Sequence, residues 1–551
     1  MKCHRPWLAG LSLVFFAGLT RMAAADPTPC TPPKQASSVV AVSAKVLAAR
    51  IDALIDARLA AEKVKPAPLA DDAEFVRRLY LDLAGKIPPE SVAFDFLDPT
   101  NTTPDKRTAL INKLLDESPG YVNHFANVWR ALLLPQSNNQ QAQFSQATFE
   151  SWLRLSLQMN TPYDQLVREI LTTPLGGVNP QMRNRPMEPG KETPVAFYQA
   201  NELKPENLAA ATSRLFLGIK LECAQCHNHP HAQWTRNQFW EFAAFFSGIE
   251  SRGPGGAFAG AYEATERRAL KIPGTEKLVM ARFLDGKEPQ WQPETTTRTA
   301  LAQWITTEKN PYFARAAVNR IWAHFFGLGL VDPVDDLSDQ NPPSHPELLE
   351  ELAQQFAANR YDLKYLMRAI TLSQTYQRTS TVNDPKQNDA RLFARMSVKG
   401  LSPEQLFDSL VEATRYREDT APVNPRVNPV VMTTPRAQFL AKFASQDKRT
   451  EYHTSILQAL SLMNGRFIDD ATSVNVSRSE TLTVVIEAPF MTTPKQIQTL
   501  FLATLSRKPT PEENQQLAEY VESGGPKHDK KAALADVFWA LLNSAEFFLN
   551  H

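Results

Sequence analysis

The sequence predicts a mainly α protein in which two helical domains are joined by an irregular Gly- and Pro-rich segment with short strands. Three observations lead there. Ser/Thr-Pro pairs recur in front of apolar-periodic runs, apolar residues repeat at three- and four-residue steps, and strand-like alternation is scarce.

The Ser/Thr-Pro pairs come first. Thr103-Pro104 opens DKRTALINKLL, Thr161-Pro162 opens YDQLVREIL and Ser402-Pro403 opens EQLFDSLVEAT; Thr493-Pro494 opens KQIQTLFLATL and Thr510-Pro511 opens EENQQLAEYVE. Each pair offers a hydroxyl as cap and proline at the first helical position, where its missing N–H costs nothing. Three add a capping-box partner: Ser402 with Gln405, Thr493 with Gln496, and Thr510 with Glu513. Many of the 41 prolines are thereby helix starts rather than signs of disorder. The last helix is expected to bury Leu534, Val537, Phe538, Leu541, Leu542, Ala545, Phe548 and Leu549 on one face. The main strand-like exception is TLTVVIEA at 481–488.

At the N-terminus, Lys2 and Arg5 precede an apolar run from Trp7 to Thr20, and Ala23-Ala24-Ala25 stands before Asp26. That is the layout of a secretory signal peptide, and the run is shorter than the roughly 20 residues that span a bilayer. Arg21 keeps an uncleaved anchor as the alternative. The expected organisation is a signal peptide at 1–25, a linker at 26–45, a helical domain at 46–250, the irregular connection at 251–297 and a second helical domain at 298–551. A further irregular stretch runs from 416 to 450. The mature protein is expected to be exported, periplasmic or beyond, with no transmembrane segment.

Lys plus Arg equals Asp plus Glu at 59 each, so no electrostatic case exists for nucleic acid or an anionic membrane. Removing the leader leaves Cys30, Cys223 and Cys226, too few for a disulfide framework. Cys30, in TPTPC, reads as an ordinary thiol.

Residues 221–235 read LECAQCHNHPHAQWT. Cys223, Cys226 and His227 form C-x-x-C-H, which from this composition would arise by chance roughly once in two thousand shuffles. Two thiols one helical turn apart can reach the two vinyl groups of a porphyrin, with the adjacent histidine beneath the iron. The pattern therefore reads as covalent attachment of haem c, with His227 as iron ligand. Two other readings stay open: a disulfide or redox pair, and a zinc site of Cys223, Cys226 and two of His227, His229 and His231, the last two being weaker candidate metal ligands. Leu208, Ala211, Leu215, Phe216 and Ile219 upstream, and Phe239, Trp240, Phe242, Phe245 and Phe246 downstream, suit a buried core or a cofactor wall. For the opposite face of the iron, His124, His324, His345, Met187 and Met280 are candidates, none singled out.

The segment FLGIKLECAQCHNHPHAQWTRNQFWEFAAFFSGI resembles the central motif of the planctomycete cytochrome-C-like domain. EFVRRLYLDLAGKIPP and DKRTALINKLL fit the start of that domain. NPYFARAAVNRIWAHFFGLGLVDPVDDLSDQNPPSHPELLEELA, YDLKYLMRAITLSQTYQRTS and ALLNSAEFFLNH resemble its usual C-terminal partner domain. The resemblance implies an exported, mostly helical two-domain protein, with Cys223 and Cys226 at the thioether positions and His227 as axial ligand. Two positions depart from the family pattern: Asn228 stands where Asp is common, and His231 where an aromatic is usual. Many relatives carry a separate cytochrome domain ahead of this pair, and none is expected here, since residues 1–45 leave no room for one.

In the second domain Arg320, His324, Asp332, Asp335, Asp336 and Asp339 crowd one turn-rich loop, which reads either as caps and solvated turns or as a Ca²⁺ site. Asn319, Arg320 and His324 alternatively close the domain interface. No G-x-S-x-G, P-loop or H-E-x-x-H motif occurs. The leading functional expectation is an exported c-type-haem protein in electron transfer, with a redox partner protein. The alternatives are a non-haem interaction or scaffold protein with a disulfide or metal site, and an enzyme of polysaccharide or surface metabolism.

Overall fold

A computed structural model describes residues 39–134, 140–175, 193–229, 232–251, 261–292, 295–416, 436, 438–440, 466–474 and 478–551. The signal-peptide reading, most of the 26–45 linker and most of the 416–450 stretch lie outside the described residues. The protein is 59% helix and 4% strand, so the mainly α expectation holds. Among the described residues no helix is long and apolar enough to cross a membrane.

Two of the three expected capping boxes form. Ser402 Oγ accepts from Gln405 N at 3.2 Å, and Gln405 Oε1 accepts from Ser402 N at 3.0 Å. Thr510 and Glu513 do the same at 3.2 and 2.7 Å. The third does not form. Thr493 is the first residue of helix Thr493–Leu505, behind the cap Thr492. Its hydroxyl donates to Glu522, and Gln496 donates to Val485 O. Tertiary partners take both side chains away from the local motif. Two other starts shift by one or two residues: Asp105, at φ 48°, caps Lys106–Asp116, and Pro162 is the cap of Tyr163–Thr172.

TLTVVIEA is not a strand. Glu480–Glu487 is a helix capped by Ser479, which accepts from Leu482 N, and it buries Leu482 and Val485 in the second core. Its β-branched residues favour strands, but packing against a helical core outweighs a propensity worth a few tenths of a kcal/mol per residue. The last helix, Lys530–Leu542, buries Leu534, Val537, Phe538, Leu541 and Leu542. It stops at Asn543, and Leu549–Asn550 is instead a short strand paired with Lys399–Gly400.

The 251–297 connection holds two antiparallel hairpins, Ile249–Ser251 with Ala261–Glu263 and Ala269–Lys271 with Leu278–Met280. The apolar core does not divide there. One cluster runs from Leu47 to Met396, so it draws on both sides of the connection. The second runs from Leu401 to Phe547 and takes in Leu81 and Ile87. Helix Ala44–Ala61 buries Leu47, Ile51, Ile55 and Leu59 against Leu363–Leu372. Faces from distant parts of the chain cover one another, and residues 40–551 make one compact unit.

Helix Asp72–Leu83 joins the two cores and carries three fully buried charges, Arg77, Arg78 and Asp82. Arg77 donates to Thr504 O, Glu546 O and Phe547 O at 2.9–3.1 Å. Arg78 donates to Tyr376 O, Arg378 O and His551 O at 2.7–3.2 Å. Asp82 accepts from Lys399 Nζ (2.7 Å), Asn550 Nδ2 (2.7 Å) and Tyr376 Oη (2.9 Å). The connection is pinned similarly, by Arg298 on Glu263 and on the carbonyls of Leu171 and Thr173.

Candidate functional site

The motif lies on a 3₁₀ turn, Leu221–Gln225. Residues three apart eclipse in such a turn. Leu221 and Ala224 form the inward pair, both fully buried. Cys223 and Cys226, the residue closing the turn, form the outward pair, and both are exposed free thiols. His227 is exposed beside them, its Nδ1 2.7 Å from Asn228 O. A carbonyl only accepts, so Nδ1 carries the proton and Nε2 of the neutral ring keeps its lone pair.

The turn is held from behind. Trp240 Nε1 donates to Gln225 O at 3.0 Å, and Arg236 Nε reaches the same carbonyl at 3.4 Å. Arg236 also donates to Pro273 O, tying the second hairpin to the site. Both residues belong to helix Arg236–Ala243, which starts with a Thr235–Gln238 capping box. Asn228 Oδ1 accepts from Arg236 N at 3.0 Å, so the amide oxygen closes this helix start as a carboxylate oxygen can. His229 closes the following loop: its N–H donates to Trp234 O at 2.8 Å, and its Nδ1 accepts from Ala232 N at 2.9 Å. That gives His229 a structural task and occupies one of its two nitrogens. Pro230 and His231 lie outside the described residues.

The apolar flanks are core. Leu208, Ala211, Leu215, Phe216 and Ile219 pack in the first cluster with Phe239, Trp240, Phe242, Phe245 and Phe246. Immediately upstream, the π-helical turn Ser213–Leu217 ends at Gly218, in the left-handed region at φ +66°.

The acidic loop of the second domain docks on this glycine. Leu337 N donates to Gly218 O at 2.8 Å, and Asp335 pairs with Lys220 at 3.3 Å. Asn319 shapes the loop, donating to Val331 O and Val334 O and accepting from Val331 N. Arg320 donates to Arg214 O and His324 Nε2 to Asp82 O, so these two reach into the first matched region, whereas the bonds of Asn319 stay within its own loop. The carboxylates do not gather: among the described residues no group of three or more His, Cys, Asp or Glu is arranged to hold a metal ion.

The candidates for the far face of the iron are dispersed. His124 is buried with its ring 5.4 Å from that of His324. His345 is buried at the start of helix Pro346–Ala358, and burial lowers its pKa to about 4. Met280 is exposed on the second hairpin, and Met187 lies outside the described residues.

A Cβ at Gly218 would stand 2.8 Å from Leu337 Cδ1, in a conformation that costs an L-residue roughly 1–2 kcal/mol. Gly218→Ala is therefore expected to lower stability by about 2 kcal/mol or more, measured by urea unfolding. A loss below about 0.5 kcal/mol would show that the loop is not seated there.

Fold and site together define a helical protein that presents a C-x-x-C-H turn against an acidic loop from the other half of its chain. Residues 50–251 match the family described as PSCyt2, a protein of unknown function (DUF1549), and residues 297–521 match PSD1, a protein of unknown function (DUF1553). The chain thus carries these two domains in that order. No curated protein and no solved structure matches it.

Proposed function

We propose that this is an exported protein carrying haem c on Cys223 and Cys226, with His227 Nε2 as axial ligand, working in electron transfer with a redox partner protein. The observation that carries the reading is the outward 3₁₀ pair of free thiols beside a histidine whose Nδ1 is bonded to a carbonyl. That is the tautomer an iron-ligating imidazole needs, oriented by a backbone acceptor. The haem would supply reversible one-electron exchange. The chain's own part is to hold the attachment turn rigid: Leu221 and Ala224 anchor it in the core, while Trp240 and Arg236 fix the Gln225 carbonyl. The cytochrome-like name of the first family agrees with the reading.

Expression with its leader and haem-maturation machinery is expected to give a Soret band and a mass about 616 Da above that of the bare mature chain. Cys223→Ser with Cys226→Ser should abolish both. A mature protein of unmodified mass without a Soret band overturns the proposal.

A further inference from the structure

Beside the motif, the loop that His229 closes forms one side of a second feature. A cleft of about 630 Å³ is lined by Gln233, Trp234, Tyr312, Ser338, Asp339 and Gln340, with Ala232 and Leu337 completing it. None of Cys223, Cys226 or His227 lines it. Its walls come from both matched regions, 232–234 from the first and 312 and 337–340 from the second. Both sides are anchored: Trp234 O accepts from His229 N, and Leu337 N donates to Gly218 O, each at 2.8 Å.

The lining selects a chemistry. The half-buried Tyr312 ring offers an apolar wall, Trp234 being mostly buried in the core, while two primary amides, a serine hydroxyl and the Tyr312 phenol offer neutral donors and acceptors. Burial and the Asp339 charge raise the Tyr312 pKa, keeping its O–H a donor. Among the described residues of the lining, Asp339 is the only charged side chain. A phosphate, sulfate or carboxylate ligand would therefore meet repulsion from Asp339. A ring with C–H faces and several hydroxyls meets the opposite situation: its face covers the Tyr312 ring, and its hydroxyls find amides and a carboxylate acceptor. The volume lies in the range of small-ligand sites and has room for one or two pyranose rings.

We propose that this cleft binds a neutral saccharide. The inference does not rest on haem attachment, and a chain that takes no haem leaves its test standing. The full mature protein is titrated with cellobiose, maltose and N,N′-diacetylchitobiose, followed by calorimetry and saturation-transfer NMR. At least one disaccharide should bind with Kd of about 1 mM or tighter. Gln340→Ala and Asp339→Asn, both at exposed positions, should each weaken it at least about fivefold, with unchanged circular dichroism. Three results overturn the proposal: no response to any of the three sugars, binding that neither variant weakens, or preferential binding of phenyltrimethylammonium, which would make the cleft a cation cage.

Discussion

Asp82→Ala is expected to destabilise the protein by about 3–5 kcal/mol. The carboxylate is fully buried and accepts from Lys399, Asn550 and Tyr376. Lys399 is buried to the same degree, its ammonium held otherwise by the carbonyls of His324 and Phe325. Deleting the acid leaves a cation inside the protein without its counter-charge, which costs far more than the net worth of the pair. The double variant Asp82→Leu with Lys399→Met should recover much of the loss, since apolar replacement of a buried pair is often neutral. Urea unfolding of the three proteins decides it. A single-variant loss below about 1 kcal/mol would mean that the pair is solvated.

Acidification supplies the second large effect. Burial lowers the pKa of His345 to about 4, against an ordinary value near 6.5. The native state therefore refuses a proton that the unfolded chain accepts. Stability is fully present above pH 6.5 and falls as pH drops towards 4, by up to about 3 kcal/mol for this one group. His551 is lowered to about 4 as well, by burial and then by Arg77, and its slope adds in the same window. His345→Gln should remove only its own share, so its unfolding midpoint should fall less steeply between pH 6.5 and 4.5. Equal slopes in the two proteins would exclude His345 as the source.

Local signals carried much of the fold. Ser402 and Thr510 cap as expected because their partners stand three residues along the same chain and nothing distant competes. Thr493 fails for the opposite reason: Glu522 and Val485 claim the two side chains the box required. The TLTVVIEA stretch fails likewise, its β-branched residues being recruited into a helical core. At the site, the Thr235–Gln238 box was readable from T-x-x-Q. The carbonyl that Trp240 and Arg236 hold was not, because a backbone acceptor leaves no mark in composition.

The sequence by itself determined the helical class and the C-x-x-C-H spacing, since both depend on residues within a few positions of one another. Only the tertiary structure decided that Leu221 and Ala224 face inward while the two thiols face out. It also decided that Asp335 and Leu337 seat on Lys220 and Gly218, and that the larger apolar cluster draws on both matched regions rather than dividing at the connection. These depend on which distant apolar faces and buried charges find each other, and that choice is made by packing and charge neutralisation across hundreds of residues.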